Sequence, residues 1–151
     1  MAPTRIRATR PALKEHRHWL LQPITFDYQD YSRGARNAGW TALVLNPVID
    51  GRQFTRVLMD GGSDLNLLYQ DTIRKLGVNP AIIRHGNTSF QGVTPGPDTQ
   101  SMGSLSLEVT FGTTDNFRSE KLTFHIAPSV SRYQALLGRE AFAHFNTIPH
   151  Y

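Results

Sequence analysis

The chain has 151 residues, 39% of them hydrophobic and 19% charged, with no cysteine and a formal net charge of +4. That is enough for one core and not for two, and the absence of cysteine excludes a disulfide scaffold, a cysteine-ligated zinc or iron–sulfur site and a thiol nucleophile. Residues 1–40 carry the whole +4 while residues 41–151 balance to zero, so the pattern is a basic arm on a neutral domain, which argues against a folded nucleic-acid-binding face.

Residues 1–37 show no sustained periodicity. They contain Pro3, Pro11, Pro23 and Gly34 among scattered arginines, and read as a largely unstructured arm and linker, with the folded domain expected over 38–151. The arm could touch RNA or an acidic partner, but its basic residues are diluted by acids and lack aromatic interleaving. Behind the basic start MAPTRIRATRP there is no apolar stretch of signal-peptide type, so secretion is not expected. No apolar run approaches the roughly 18 residues of a membrane span.

From Trp40 the texture is that of strands. Residues 41–49 (TALVLNPVI) form one, Asp50-Gly51 is a hairpin dipeptide, and 53–59 (QFTRVLM) is the return strand. Asp60-Gly61-Gly62-Ser63 interrupts two apolar runs, the second being 65–69 (LNLLY). Asp71 is placed to N-cap a short helix over 72–76, with Gly77 at its C-terminal cap. Residues 79–87 read as a loop with one apolar patch, Ile82-Ile83. Residues 90–103 (FQGVTPGPDTQSMG) are rich in Gly and Pro and read as a mobile hairpin or loop. Residues 104–111 (SLSLEVTF) alternate strictly, with Leu105, Leu107, Val109 and Phe111 on one face. A turn over 112–116 leads to a further strand over 117–126. Residues 135–137 form a short buried strand, 139–145 (REAFAHF) a short helix, and 146–151 an extended tail. Many short strands with two short helices make a mostly-β single domain.

Asp60 carries the most chemical content. An acid released from an apolar strand into a glycine turn has backbone N–H groups close by and little bulk around it, which suits a carboxylate on the floor of a cleft. The competing candidates are thinner. Six histidines (His16, His18, His85, His125, His144, His150) are scattered without a metal-ligand spacing. Gly92 and Gly96 are not followed by the Lys-Ser/Thr of a phosphate loop, and Ser63 lacks a nucleophile-elbow context. Asp71 is better explained by helix capping, and Asp64 as a surface residue of the turn, than as a carboxylate metal site.

Taken together, 22–27 (QPITFD), 57–69 (VLMDGGSDLNLLY), 90–103 and 133–151 (YQALLGREAFAHFNTIPHY) resemble, in order and spacing, the retropepsin-type aspartic proteases, and most of all the protease region of plant Ty3/gypsy-like retrotransposon polyproteins. The resemblance implies an all-β fold, a closed or partly open β-barrel equal to half of a pepsin-type bilobal enzyme. It implies an aspartic endopeptidase active as a homodimer on a peptide or Gag-Pol polyprotein substrate, intracellular and cytoplasmic or within virus-like particles, with no metal, cofactor or membrane involved. Asp60 matches the catalytic aspartate, with Gly61, Gly62 and Ser63 as the active-site loop. Phe90, Gly92, Val93, Pro95 and Gly96 match a flap that closes over the peptide. Leu136, Leu137, Gly138 and Arg139 match the segment packed beneath the loop, and the tail 146–151 matches the dimerisation strand, though Pro149 removes a ladder donor there. Gly61 stands where such enzymes usually carry a Thr or Ser whose hydroxyl braces the two loops across the dimer. The resemblance therefore implies a looser aspartate pair and a weaker dimer, or, in the alternative, an inactive or domesticated dimerisation or peptide-binding module of the same fold.

Overall fold

The structure, a computed structural model, describes residues 42–91 and 98–147 together with Thr25, Asp27 and Gln29. The described residues from Ala42 onward form one compact unit, and Thr25, Asp27 and Gln29 belong to a separate one. In the latter the Gln29 N–H donates to Asp27 Oδ1 at 2.7 Å. The rest of the predicted arm lies outside the described residues.

The elements run β1 Leu43–Leu45, β2 Val48–Ile49, β3 Arg52–Gln53, β4 Val57–Met59, β5 Asn66–Tyr69, α1 Gln70–Leu76, one 3-10 turn Pro80–Ile82, β6 Ser89–Phe90, β7 Thr99–Gln100, β8 Ser104–Gly112, β9 Phe117–Ala127, β10 Ala135–Leu137 and α2 Arg139–Phe145. Eight strands form one curled half-barrel sheet in the order β1-β4-β10-β5-β9-β8-β2-β3, and β6 and β7 form a separate ribbon. The mostly-β class with two short helices is as the sequence predicts.

The single strand expected over 41–49 is two. Pro47, fully buried, has no N–H to give a ladder, and at Asn46-Pro47 the chain changes partners: β1 pairs with β4, whereas β2 pairs with β3 and β8. The return strand divides in the same way, into β3 and β4. Asp50 (φ 48°) and Gly51 (φ 73°) both take the left-handed conformation that a two-residue hairpin turn requires.

Strict alternation along β8 puts Leu105, Leu107 and Val109 into the core, with Leu105 opposite Phe124 and Leu107 opposite Leu122 of β9, and Ile126 further along β9 joins them there. Ile49, Val57, Leu68, Ala135 and Leu137 complete that side, so one face of the curled sheet is the hydrophobic core.

The helices close the ends. α1 stops at Gly77, whose φ of 60° is left-handed, as the sequence indicates. Its start does not match: the N-cap is Tyr69, and Asp71 lies inside the first turn, where it pairs with Lys75 at 3.9 Å. β5 runs directly into α1 without a loop, so no residue outside the helix is free to turn back and cap it. Arg118 braces the C-terminal end of α2, donating to His144 O at 2.5 Å and Phe145 O at 3.4 Å and pairing with Glu120 at 2.9 Å. Cations at a helix C-terminus satisfy its last carbonyls and its dipole. Arg118→Ala is expected to destabilise the domain by about 1 kcal/mol, a fall of roughly 4–8 °C in Tm. Arg118→Lys should recover only part of this, because one ammonium lacks the spread of donors of the guanidinium. Thermal unfolding of both variants checks the expectation.

Candidate active site

Asp60 leaves the end of β4, the strand next to the edge strand β1. β4 lies between β1, antiparallel, and β10, parallel, and the parallel pairing continues one residue further: the Asp60 N–H donates to Leu137 O at 2.9 Å. The carboxylate is half-buried. Its Oδ1 accepts the Gly62 N–H at 2.9 Å, and among the described residues no side chain bonds Oδ2. The turn closes with the Ser63 N–H donating to Asp60 O at 3.2 Å. Gly62 has no left-handed φ. Its lack of a side chain matters for space, since an added Cβ would lie 3.2 Å from Asp60 Oδ1. Ser63 is occupied locally: its Oγ donates to Leu65 O at 2.9 Å and accepts the Leu65 N–H at 3.3 Å.

The register shows what lies beside Asp60. Val44, Leu58, Leu136, Leu67 and His125 are directly opposite one another across β1, β4, β10, β5 and β9. Their neighbours Val57, Ala135, Leu68 and Ile126 all belong to the core cluster. Because side chains alternate faces along a strand, the first row lies on the opposite face of the sheet. Asp60, two residues after Leu58, continues that face. The carboxylate thus stands beside a row of leucines on the face away from the core cluster, with Leu58 and Leu67 half-buried and Leu136 buried. Leu136 and Leu137 therefore divide: Leu137 packs in the core and its carbonyl holds Asp60, while Leu136 floors the row.

Gly138 is buried and fills the gap beneath the loop. A Cβ there would lie 2.5 Å from Leu65 O and 2.6 Å from Ser63 O. Arg139 donates its N–H to Ser63 O at 2.8 Å, and its side chain pairs with Asp64. The sequence assigns Asp64 no partner. The pair is 60% and 73% exposed, so it orients the loop rim rather than stabilising the fold appreciably.

Three supporting residues escape the sequence reading. Gln134 Oε1 accepts the N–H groups of Thr55 and Arg56 at 2.8 and 3.1 Å, pinning the start of β4 to that of β10. Asn66, fully buried, and Glu140 form a network under Gly138. Asn66 has a visible signal, a polar residue within LNLLY on the core face shared with Leu68.

Of the flap residues, Phe90 lies in β6, paired with Thr99 of β7 in a two-stranded stem, while Gly92, Val93, Pro95 and Gly96 lie outside the described residues. In the tail, Asn146 takes a left-handed conformation (φ 51°) as the cap of α2, and 148–151 lie outside. Among the described residues no group of three His, Asp or Glu side chains is placed to hold a metal, and no helix is long and apolar enough to cross a membrane.

No protein-family model matches the chain, and no curated protein matches its sequence. Solved structures do. A retropepsin-like aspartic protease from Rickettsia conorii superposes with a TM-score of 0.51 at 16% identity, covering 68% of this chain and 70% of its own. EIAV protease complexed with the inhibitor HBY-793 gives a TM-score of 0.43 at 16% identity, covering 74% and 95%. The retroviral protease-like domain of Ddi1 from Leishmania major gives 0.45 at 12%, covering 68% and 76%. At these identities the likeness is one of fold, and it rests on the first of the three: the chain has a retropepsin-like fold, with Asp60 at the end of a strand paired on both sides.

Proposed function

We propose that this chain is one half of an aspartic endopeptidase, completed when two copies bring their Asp60 carboxylates together on a two-fold axis. The observation that carries this reading is the placement of Asp60. It is a half-buried carboxylate at a strand end, fixed by the Leu137 carbonyl and the Gly62 amide, beside a leucine row on the face away from the main core cluster. One carboxylate alone lacks a partner acid. Two at hydrogen-bonding distance hold one proton between them, because both cannot ionise cheaply. The ionised one takes a proton from a water, whose oxygen attacks the scissile carbonyl. The protonated one donates to the carbonyl oxygen, and collapse of the tetrahedral intermediate expels the amine with a proton from the pair. Titration belongs to the pair rather than to either Asp60.

On this reading the β6–β7 ribbon is the stem of a flap over the peptide, and Leu58, Leu67 and Leu136 contact substrate side chains. The sequence resemblance extends the proposal to a polyprotein of plant Ty3/gypsy-like type as substrate, processed inside the cell. The test is cleavage of a peptide panel at mildly acidic pH by wild type and Asp60→Asn, with and without an aspartic protease inhibitor. Turnover that is inhibited and abolished by Asp60→Asn is the expected result. No Asp60-dependent turnover at concentrations where dimer is present overturns the reading in favour of a non-catalytic module built on the same fold, a role compatible with Gly61 in place of a bracing hydroxyl.

A further inference from the structure

We propose that Asn66 and Glu140 are positioning residues for the Asp60 loop, forming an internal brace that sets its geometry within each chain. This rests on the reading of Asp60 as the reacting group. Asn66 is fully buried on β5, yet its amide is fully engaged. Oδ1 accepts the Gly138 N–H at 2.9 Å, while Nδ2 donates to Thr123 O at 3.0 Å and to Glu140 Oε2 at 2.6 Å. Glu140 Oε1 in turn faces the Thr123 N–H at 3.4 Å. A backbone donor on one side of the amide, and a carbonyl with a carboxylate on the other, fix its orientation.

The network reaches Asp60 through one segment. Gly138 lies between Leu137, whose carbonyl receives the Asp60 N–H, and Arg139, whose N–H bonds Ser63 O. The two anchors of the loop therefore flank the residue that Asn66 holds. A shift of Gly138 moves both, and it has no slack, since backbone oxygens of Ser63 and Leu65 already crowd it. A leucine at position 66 would serve the core equally well by hydrophobicity. An amide is needed there only because a buried Gly138 N–H and Thr123 carbonyl otherwise go unsatisfied, and buried polar groups are rarely left so. Among the described residues, no side-chain hydroxyl of the 60–63 turn bonds outside the turn and its neighbour Leu65. The brace beneath the loop is the connection that remains.

Asn66→Leu and Glu140→Gln, the milder variant in case the first folds poorly, separate positioning from mere stability. Rates are referred to active sites titrated with a tight-binding inhibitor. We expect Asn66→Leu to lose at least tenfold in kcat at little-changed KM, and Glu140→Gln to lose less. The pH–rate profile should shift in both, because the spacing of the carboxylate pair alters. Hydrogen exchange provides a readout that needs no turnover: the amides of Asp60, Gly138 and Arg139 should lose protection ahead of those of Leu68 and Phe124. If titrated kcat and the pH profile stay within twofold while only Tm falls, the two residues are structural and the proposal fails. If wild type shows no Asp60-dependent turnover, the reading of Asp60 fails. The brace is then judged by exchange alone, and uniform loss of protection across the domain overturns it too.

Discussion

Gly138→Ala is expected to destabilise the domain by about 3 kcal/mol, the upper range for overpacking a filled interior, and to abolish turnover in whatever still folds. The reason is space. Gly138 has φ −95° and ψ −165°, a backbone that any residue adopts, so conformation does not demand a glycine. Its missing side chain does: a Cβ would lie 2.5 Å from Leu65 O and 2.6 Å from Ser63 O. Both obstacles are backbone oxygens, which cannot swing aside as the tip of a long side chain can. Relief requires separating β10 and α2 from the 60–65 turn, and that breaks the Asp60-to-Leu137 and Arg139-to-Ser63 bonds together. Gly86→Ala is the matched control. Nothing lies within 4 Å of its Cβ position and its φ is not left-handed, so it should be neutral or stabilising by a few tenths of a kcal/mol. Urea unfolding of the two variants, with peptide turnover measured on each, decides the matter. A Gly138→Ala chain within about 0.5 kcal/mol of wild type, the range of an ordinary surface change, would show that the loop and its support are not tightly packed.

What could be read from the sequence follows from the range of the forces involved. The period-2 pattern of 104–111, the Asp50-Gly51 hairpin and the Gly77 cap are local, and each produces the expected element. The 139–145 helix matches to the residue because Gly138 precedes it and Asn146 caps it. Partner choice is not local. Nothing in TALVLNPVI says that its two halves pair with strands on opposite sides of the sheet, although Pro47 marks where the change falls. Asp71 shows the same limit: its composition suits an N-cap, but direct continuity of β5 into α1 moves the cap to Tyr69. In the candidate site, Asp60 stands out because an acid and two glycines follow an apolar run. The register that sets Leu58, Leu136 and Leu67 beside it joins residues as far apart as β4 and β10, and only the folded sheet displays it. Asn66 lies between these cases. A polar residue at a core-face position is a visible anomaly, but its explanation, Gly138 and Glu140, lies more than seventy residues downstream.

Mixing equal amounts of wild type and Asp60→Asn should leave roughly a quarter of the activity that the same total of wild type gives, if copies pair at random on an isologous interface. On the proposed reading each chain supplies one aspartate, so a mixed pair holds one carboxyl and one amide. An amide neither ionises nor shares a proton, and the division of labour between base and acid is lost. The substitution is a clean one. Asn keeps a side-chain oxygen that accepts the Gly62 N–H, the contact now made at 2.9 Å, and leaves the backbone bond to Leu137 in place. Its Tm should therefore match wild type, and loss of activity is not loss of fold. With wild type held constant, a tenfold excess of Asp60→Asn should cut turnover to about a tenth. Where Gly61 removes a hydroxyl from the loop, the dimer is expected to be weaker than one braced there. Exchange of subunits, and hence inhibition, should then set in promptly on mixing, and specific activity should fall on dilution. The decisive comparison is activity against sedimentation at the same concentrations. If added Asp60→Asn leaves turnover unchanged where mixed dimers are present, the reacting carboxylates do not come one from each chain. A tight dimer persisting at nanomolar concentration would remove the expectation drawn from Gly61 while leaving the shared site intact.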